Sequence, residues 1–580
     1  MKRFAPIPIG VVSGIGILCI FLLPFVGNLH RPASLFHNDW YLLTFMLDHY
    51  MTVIQSGNWA DLTTYPMYYG FPNSIFFGEF FPVHILAGFP LYALTHNIFL
   101  VSNVLVLCTV LFSYASMFLL GFYLTKRMWP SVIAGIIYAV NPFIMGRFPD
   151  HLLVLNGGFL PLILLCIELL FEKPHRATMM WLFLLFIGQL LTSTIYYSIF
   201  LTVLLPIYVG MRGKTLGWPE KSAVVNRGTL IGLILFLLSI TSLYTMYSKG
   251  NANLYAARSQ ESTVSYSAIL SDWVFTAPNN VLYGRVKPWA AAQFPSVVRE
   301  GIYSEHNLFT GIIPFFLGLF GLWVLVFKKR DARVGAICVI GILSWLFTFG
   351  PEWTFGDGVR IPGIYGLIES VHPLFGFLRV PSRFGVFVFL ALSVCVAYGL
   401  SWVQLHLSKK RYLTLILCVT VGILGEYMIR PIEFLNHDPS MERAYTAINS
   451  RSDIRILAEY PMGNSIDYAF PQARMEELDA HYLAYALLYH NKKLLNGYSG
   501  FIPREYQKRA DFLSVNFPTR SKLTQLKSWG ADALAVHRSE FREKGQYEDI
   551  TSSLSALDVP ILTTTKDLVI YDLTAWSADP

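Results

Sequence analysis

Ionisable residues beside apolar segments are costly unless they serve a purpose, and in this chain they form a short set. His37-Asn38-Asp39-Trp40 lies just past the first long apolar run. Glu79 sits in Phe77-Gly78-Glu79-Phe80, and Arg147, Asp150 and His151 share one five-residue stretch. Glu305-His306 precedes another apolar run, and Arg379 and Arg383 stand four apart in Phe377-Leu378-Arg379-Val380-Pro381-Ser382-Arg383-Phe384. A carboxylate such as Asp39, held at a membrane surface, can take the proton of a hydroxyl as that hydroxyl attacks. The plain alternatives are a helix N-cap or a solvated interfacial charge. Guanidinium groups grip phosphate oxygens with paired hydrogen bonds, so Arg379 and Arg383 suit a lipid phosphate; they equally suit snorkelling to headgroups. Arg147, Asp150 and His151 are more ionisable groups than a short turn requires, although a local Arg–Asp pair would account for two of them. His, Asp and Glu are also metal ligands, but no ligand spacing supports a divalent metal, and no other cofactor is indicated.

These residues need a scaffold, and composition points to a bilayer. Of 580 residues 54% are hydrophobic and only 14% charged, against roughly 25% charged in a soluble protein. Phe, Tyr and Trp make up 15%, which suits aromatic belts at two interfaces. All six cysteines lie in apolar runs, so no disulfide framework is expected. The net charge of +7 is no nucleic-acid signal, because residues 431–580 sum to about −4 and the excess sits in short loops of the apolar part. The N-terminal run to about Val26 is too long for a usual signal core and has no small-x-small cleavage site, so it is expected to stay as a first span.

Apolar runs of span length fall at about 5–26, 97–124, 129–146, 152–171, 179–193, 195–211, 229–247, 308–327, 334–350, 384–405 and 412–429. The stretch 179–211 reads either as one long helix or as two short ones with a turn at Thr192-Ser193-Thr194. Two helices put every compact basic cluster on one side together with Lys2 and Arg3: Lys126/Arg127, Lys173/Arg176, Arg212 to Arg227, Lys328–Arg330 and Lys409–Arg411. The positive-inside rule therefore favours about eleven transmembrane helices in a cell (inner or plasma) membrane, N-terminus cytoplasmic and C-terminus outside. Residues 1–430 then form the membrane domain, with outer loops 27–96, 248–307 and 351–383. Residues 84–94 are expected to lie along the interface, because a full span there breaks the parity.

From Pro431 the chain turns polar. Short strand-like runs at Ile454–Tyr460, Ala533–Val536 and Leu568–Leu573 alternate with helical patterns at Glu476–Tyr489 and Arg520–Trp529, so 431–580 is expected to be an extracytoplasmic α/β domain. Tyr482, Tyr485 and Tyr489 have the spacing of a buried helix face, which equally allows stacking on sugar rings. There is no P-loop, GxGxxG after a strand, HExxH or GxSxG.

The ensemble resembles a known family. An early acid in the first outer loop, a short Arg…Asp-His loop, a late Phe-Leu-Arg-Val-Pro-Ser-Arg-Phe and a trailing soluble domain are similar to the GT-C superfamily of membrane glycosyltransferases. Within it, Leu495-Asn496-Gly497-Tyr498-Ser499-Gly500-Phe501-Ile502-Pro503 and Leu526 to Ala531 resemble the tail of the YfhO-like bacterial and archaeal group. The resemblance implies transfer of a sugar from a polyprenyl-phosphate-linked donor to a glycan, lipid or protein acceptor outside the cytoplasm, by a single inverting displacement. It implies Asp39 as general base, Asp150 as a second acid, and Arg379 and Arg383 at the donor phosphate; His37, Glu79, Arg147, His151 and Glu305, ionisable beside the same spans, are the further candidates for substrate binding. The Asp-x-Asp of oligosaccharyltransferases is absent, position 37 being His, which argues for a metal-independent monophosphate donor. A transporter or flippase for a lipid-linked glycan would use the same mouth, but few charges lie mid-span. A non-catalytic membrane scaffold is the other rival, and it would tolerate loss of Asp39.

Overall fold

The computed structural model describes residues 6–216, 260–298, 304–355, 359–372, 374, 375, 378–463, 472–500, 502–541 and 544–577, with four isolated positions between 234 and 245. Among the described residues five helices are long and apolar enough to cross a bilayer: Ile98–Thr125, Met128–Met145, Leu152–Glu172, Ile195–Thr215 and Pro381–His406. Shorter apolar helices stand at Pro6–Phe21, Pro82–Thr95, Arg176–Thr192, Ile312–Phe327 and Ala332–Thr348, and Lys409–Tyr427 is a further helix. The expected span 229–247 lies outside the described residues apart from the isolated positions, as does much of 248–307 before Gln260.

The stretch 179–211 is two helices. Arg176–Thr192 stops at Ser193, whose backbone is extended, and Ile195–Leu216 starts two residues later. Neighbouring loops satisfy the groups exposed by the break: the Thr194 N–H donates to Leu153 O at 3.1 Å, and the Thr194 hydroxyl donates to Glu79 at 2.8 Å. Lipid offers no partners for such a break, so it has to be stitched by protein.

Helices cross closely where side chains are missing. A Cβ on Gly321 would lie 1.9 Å from the Cys395 carbonyl oxygen, so Ile312–Phe327 meets Gly385–His406 at backbone contact, as small residues permit in membranes. Pro82–Thr95 has 14 residues. At 1.5 Å per residue it is about 21 Å long, short of a ~30 Å hydrocarbon core. Its exposed Leu86 and Leu94 fit a helix lying along an interface. The 351–383 loop carries a hairpin, β1 (Glu352–Phe355) against β2 (Val359–Pro362).

Toward the C-terminus five strands form one sheet: β3 (Ile456–Tyr460), β4 (Lys493–Leu494), β5 (Ala533–His537), β6 (Ile561–Thr564) and β7 (Leu568–Asp572). Their order is β4-β3-β5-β7-β6, parallel on the β4-β3-β5 side and antiparallel beyond. Strands β3, β5 and β7 are buried at every position, which fits their mostly apolar character, and the acid and the imidazole buried in β3 and β5, Glu459 and His537, lie 2.6 Å apart. The three expected strands are present, with ends shifted by one or two residues; β4 and β6, with two and four residues, are too short or too polar to read from the chain. Tyr482, Tyr485 and Tyr489 lie on the Gln472–Tyr489 helix and are all buried, a helix face rather than a sugar platform.

This sheet is stitched to the first loop. The Tyr68 and Tyr69 N–H groups donate to Asn496 O and Leu494 O at 2.8 and 3.0 Å, and Leu494 N–H donates to Pro66 O at 2.8 Å, so residues 66–69 pair along the β4 edge. Ala33 bridges Phe434, and Trp40 and Tyr41 share a small core with Ala484. The 27–96 loop is thus the bed on which the sheet rests.

Candidate active site

Two carboxylate–imidazole pairs cross between the first loop and the loop after Met145. Asp39 is in the first turn of the Asn38–Ser56 helix, where the helix dipole favours an acid; the N-cap position belongs to His37, and its side chain makes no capping bond. Asp39 Oδ2 lies 2.7 Å from His151 Nε2, and Asp39 Oδ1 accepts from the Tyr498 hydroxyl at 3.2 Å. His37 Nδ1 lies 2.7 Å from Asp150 Oδ1. The pairs are partly open, with Asp39 and His151 side chains 29% and 23% exposed.

Burial alone would push the Asp39 pKa up. The His151 charge and hydrogen bond, the Tyr498 hydroxyl and the Arg383 field outweigh it and hold the carboxyl below its ordinary value. Burial likewise pushes His151 down, but the Asp39 charge and hydrogen bond raise it above the ordinary histidine value. His37 is raised too, Asp150 overcoming the cost of burial. Each partner thus favours the charged form of the other.

Beneath lies a drier cluster. Glu305 is 3% exposed and accepts from both Arg147 and Arg383, the latter through Nη2 at 2.6 Å and Nε at 3.1 Å. Arg147 is fully buried; its Nη1 donates to Phe143 O at 2.7 Å, and its guanidinium lies 3.9 Å from the Phe143 ring centre. Burial would raise the Glu305 pKa, but the two arginines hold it well below the carboxylate range. Asn307 fixes this segment by donating to Pro142 O and accepting from Thr276 and Ala277.

Arg379 and Arg383, equivalent in sequence, are placed differently. The Arg383 fork is taken by Glu305, with its guanidinium 4.6 Å from the Tyr196 ring centre. The Arg379 guanidinium lies over the Tyr266 ring at 4.5 Å, while the Arg379 backbone N–H donates to the Tyr196 hydroxyl at 3.1 Å. Glu79 is not at the Asp39 pair: its Oε1 accepts from Thr194 and from Ile195 N–H at 3.2 Å, holding the start of a helix. Within the buried cluster two guanidinium groups, Arg147 and Arg383, face the one carboxylate of Glu305, so one positive charge is in excess there. Among the described residues no three His, Cys, Asp or Glu side chains are arranged to hold a metal ion.

The structure therefore brings Asp39, His151, Arg147, Glu305 and Arg383 together, sets His37 on Asp150 beside them, and leaves Glu79 as a helix anchor. Sequence reasoning missed Tyr498, Tyr196 and Tyr266. Tyr498 is 459 residues from Asp39 and carries no spacing signal; the only hint was its place in the Leu495–Pro503 stretch.

No family model matches the chain, and no curated protein matches it. Solved structures do. The arabinofuranosyltransferase AftD from Mycobacteria superposes with a TM-score of 0.52 at 10% identity, covering 97% of this chain and 40% of AftD. The chain thus spans about two fifths of that enzyme's length. ArnT from Cupriavidus metallidurans, solved bound to undecaprenyl phosphate, superposes with a TM-score of 0.50 at 13% identity, covering 97% of this chain and 98% of ArnT. The chain shares the GT-C fold with both, and with several described helices long and apolar enough to cross a bilayer it is an integral membrane protein.

Proposed function

We propose that this chain, built on the GT-C fold, moves a sugar from a polyprenyl-phosphate-linked donor to an acceptor hydroxyl outside the cytoplasm, with Asp39 as general base. The observation that carries this reading is the Asp39 carboxylate, anchored through Oδ2 by His151 and beside a cluster with one positive charge in excess. The solved neighbour that holds undecaprenyl phosphate supports the donor class.

In the proposed step the acceptor oxygen bonds to the anomeric carbon as the bond from that carbon to the phosphate oxygen breaks. The acceptor proton passes to Asp39, and the electron pair leaves with the phosphate. An Asp with a depressed pKa is a weak base toward a resting hydroxyl, but the hydroxyl acidifies as it bonds to the electron-poor carbon, so proton transfer comes late. The departing phosphate gains negative charge, and preorganised cations stabilise that charge. Arg379 is the phosphate contact in this reading, because among the described residues its guanidinium lies against a ring face with no carboxylate in its fork. Arg383 acts through its field, with Glu305 occupying its fork. His37 and Asp150 brace the mouth.

Orientation follows the same logic. Lys126 and Arg333 both lie over the Tyr123 ring, and Arg333 reaches Glu172 at 3.5 Å, so these basic connections gather at one end of the bundle. That end would be cytoplasmic. The Asp39 mouth and the α/β part, residues 431–580, would then be outside, with 1–430 as the membrane domain. The likeness of the Leu495–Pro503 stretch to the YfhO-like group belongs to this proposal.

The test is transfer from polyprenyl-phosphate-linked sugars by full-length protein in nanodiscs, wild type against Asp39→Asn. Loss of transfer with undecaprenyl phosphate binding retained supports the reading. Wild-type transfer by the variant removes Asp39 from the chemistry, and no transfer by either protein leaves the flippase and scaffold readings.

A further inference from the structure

Asp39 has two oxygens, and they are used differently. Oδ2 is bound to His151 at 2.7 Å. Oδ1 is the oxygen left to receive a proton, and a base must first accept a hydrogen bond from the hydroxyl it will deprotonate. In the structure that bond comes from Tyr498, a phenol at 3.2 Å. A phenol is a far weaker acid than a carboxylic acid, so the contact is a resting hydrogen bond, not a proton transfer. It is also neutral on the donor side and longer than the His151 contact, so it is the weaker of the two.

The segment that presents Tyr498 is built to reach this point. Gly497 packs on the face of Tyr68, where a Cβ would come within 2.5 Å of the ring. The Ser499 hydroxyl pairs with the Tyr68 hydroxyl at 3.1 Å, and Gly497 N–H donates to the Tyr506 hydroxyl at 3.3 Å. Asn496, one residue before Gly497, is fixed by Tyr68 N–H and by Glu459 and Asp479. The α/β part thus places one phenol on the reactive oxygen of a residue in the membrane part.

We infer that the Tyr498 hydroxyl stands in for the acceptor hydroxyl on Asp39 Oδ1, so that an incoming acceptor displaces Tyr498 and the 497–500 segment guards the acceptor side of the site. This rests on Asp39 being the general base. Tyr498 is a positioning residue here: it keeps Oδ1 occupied and oriented while no acceptor is bound, and it excludes hydroxyls that cannot replace it.

The experiment needs no donor and no knowledge of the true acceptor. Full-length protein in nanodiscs is treated with a water-soluble carbodiimide and glycine ethyl ester, and modification of Asp39 is read by peptide mass spectrometry. Methyl glucopyranoside, methyl mannopyranoside and methyl galactopyranoside serve as hydroxyl probes that protect Asp39. In Tyr498→Phe, Asp39 is modified faster, and at least one probe protects it at a concentration about fivefold lower than in wild type, the factor expected when a displaced neutral hydrogen bond is absent. Ser499→Ala, which loosens the segment but keeps the phenol, shifts protection in the same direction by less. Equal or weaker protection in Tyr498→Phe means that the phenol shares Oδ1 with the acceptor or aids its binding, and overturns the inference. Failure of sugar transfer in a separate assay would remove the proposed function without altering this competition.

Discussion

Two ionic clusters lie side by side at the same mouth, and they differ most in water. Arg147, Glu305 and Arg383 have side chains 0%, 3% and 10% exposed, whereas His37, Asp150, His151 and Asp39 range from 19% to 29%. Charges taken wholly out of water must be matched by fixed partners, and removing one partner leaves an uncompensated buried ion. Charges at the edge can exchange partners with a substrate. The dry cluster reads as scaffold, joining the Met145 loop, the Glu305 segment and the Pro381–Phe384 turn; the wetter pair reads as chemistry.

The sharpest way to break this contrast is to strip Glu305. Glu305→Ala leaves two arginines facing each other without their counter-ion, and should cost about 3–5 kcal/mol, seen as lost yield or a much lower unfolding temperature in detergent. A variant that folds like wild type would mean that the triad is no scaffold. Asp39→Asn should do the reverse, cutting transfer by roughly 10²–10⁴-fold while costing only about 1 kcal/mol of stability.

Arg379→Ala should weaken undecaprenyl phosphate binding about tenfold, one charge-assisted contact, with less effect on the unfolding temperature than Arg383→Ala. If Arg383→Ala folds normally and loses more phosphate affinity, the two arginines have been assigned the wrong way round.

The smallest effect is in pH. His151 is raised in the fold, so its share of the Asp39 pair is complete below 6.5 and is lost as pH rises through the raised value. Asp39 is lowered, so its share is present above 3.8 and is lost as pH falls through the lowered value. The stability deficit of Asp39→Asn should therefore be largest between these limits and should shrink on the alkaline side. A deficit that is flat from pH 5 to 9 would show that His151 is not charged in the pair.

Much of this was readable in the chain, for reasons that are local. Apolar run length located the described helices, and Thr192-Ser193-Thr194 marked the break between two of them because consecutive polar residues cannot sit unpartnered in lipid. Asp39, His151, Arg147, Glu305 and Arg383 drew notice because ionised groups beside spans are rare. Their pairing was not readable. Arg379 and Arg383 look alike in sequence, and only the fold sets Glu305 against one of them. Tyr498 was hidden because a neutral side chain in a distant polar segment carries no cost that betrays it. The stitching of residues 66–69 to β4 was hidden because it uses main-chain groups that every residue has.

One measurement bears most directly on Asp39: single-turnover transfer from a polyprenyl-phosphate-linked sugar by purified protein in nanodiscs, with undecaprenyl phosphate binding measured on the same preparations. The prediction is that Asp39→Asn binds undecaprenyl phosphate as wild type does and transfers at least about a hundredfold more slowly. Transfer at the wild-type rate by a folded Asp39→Asn protein would contradict it.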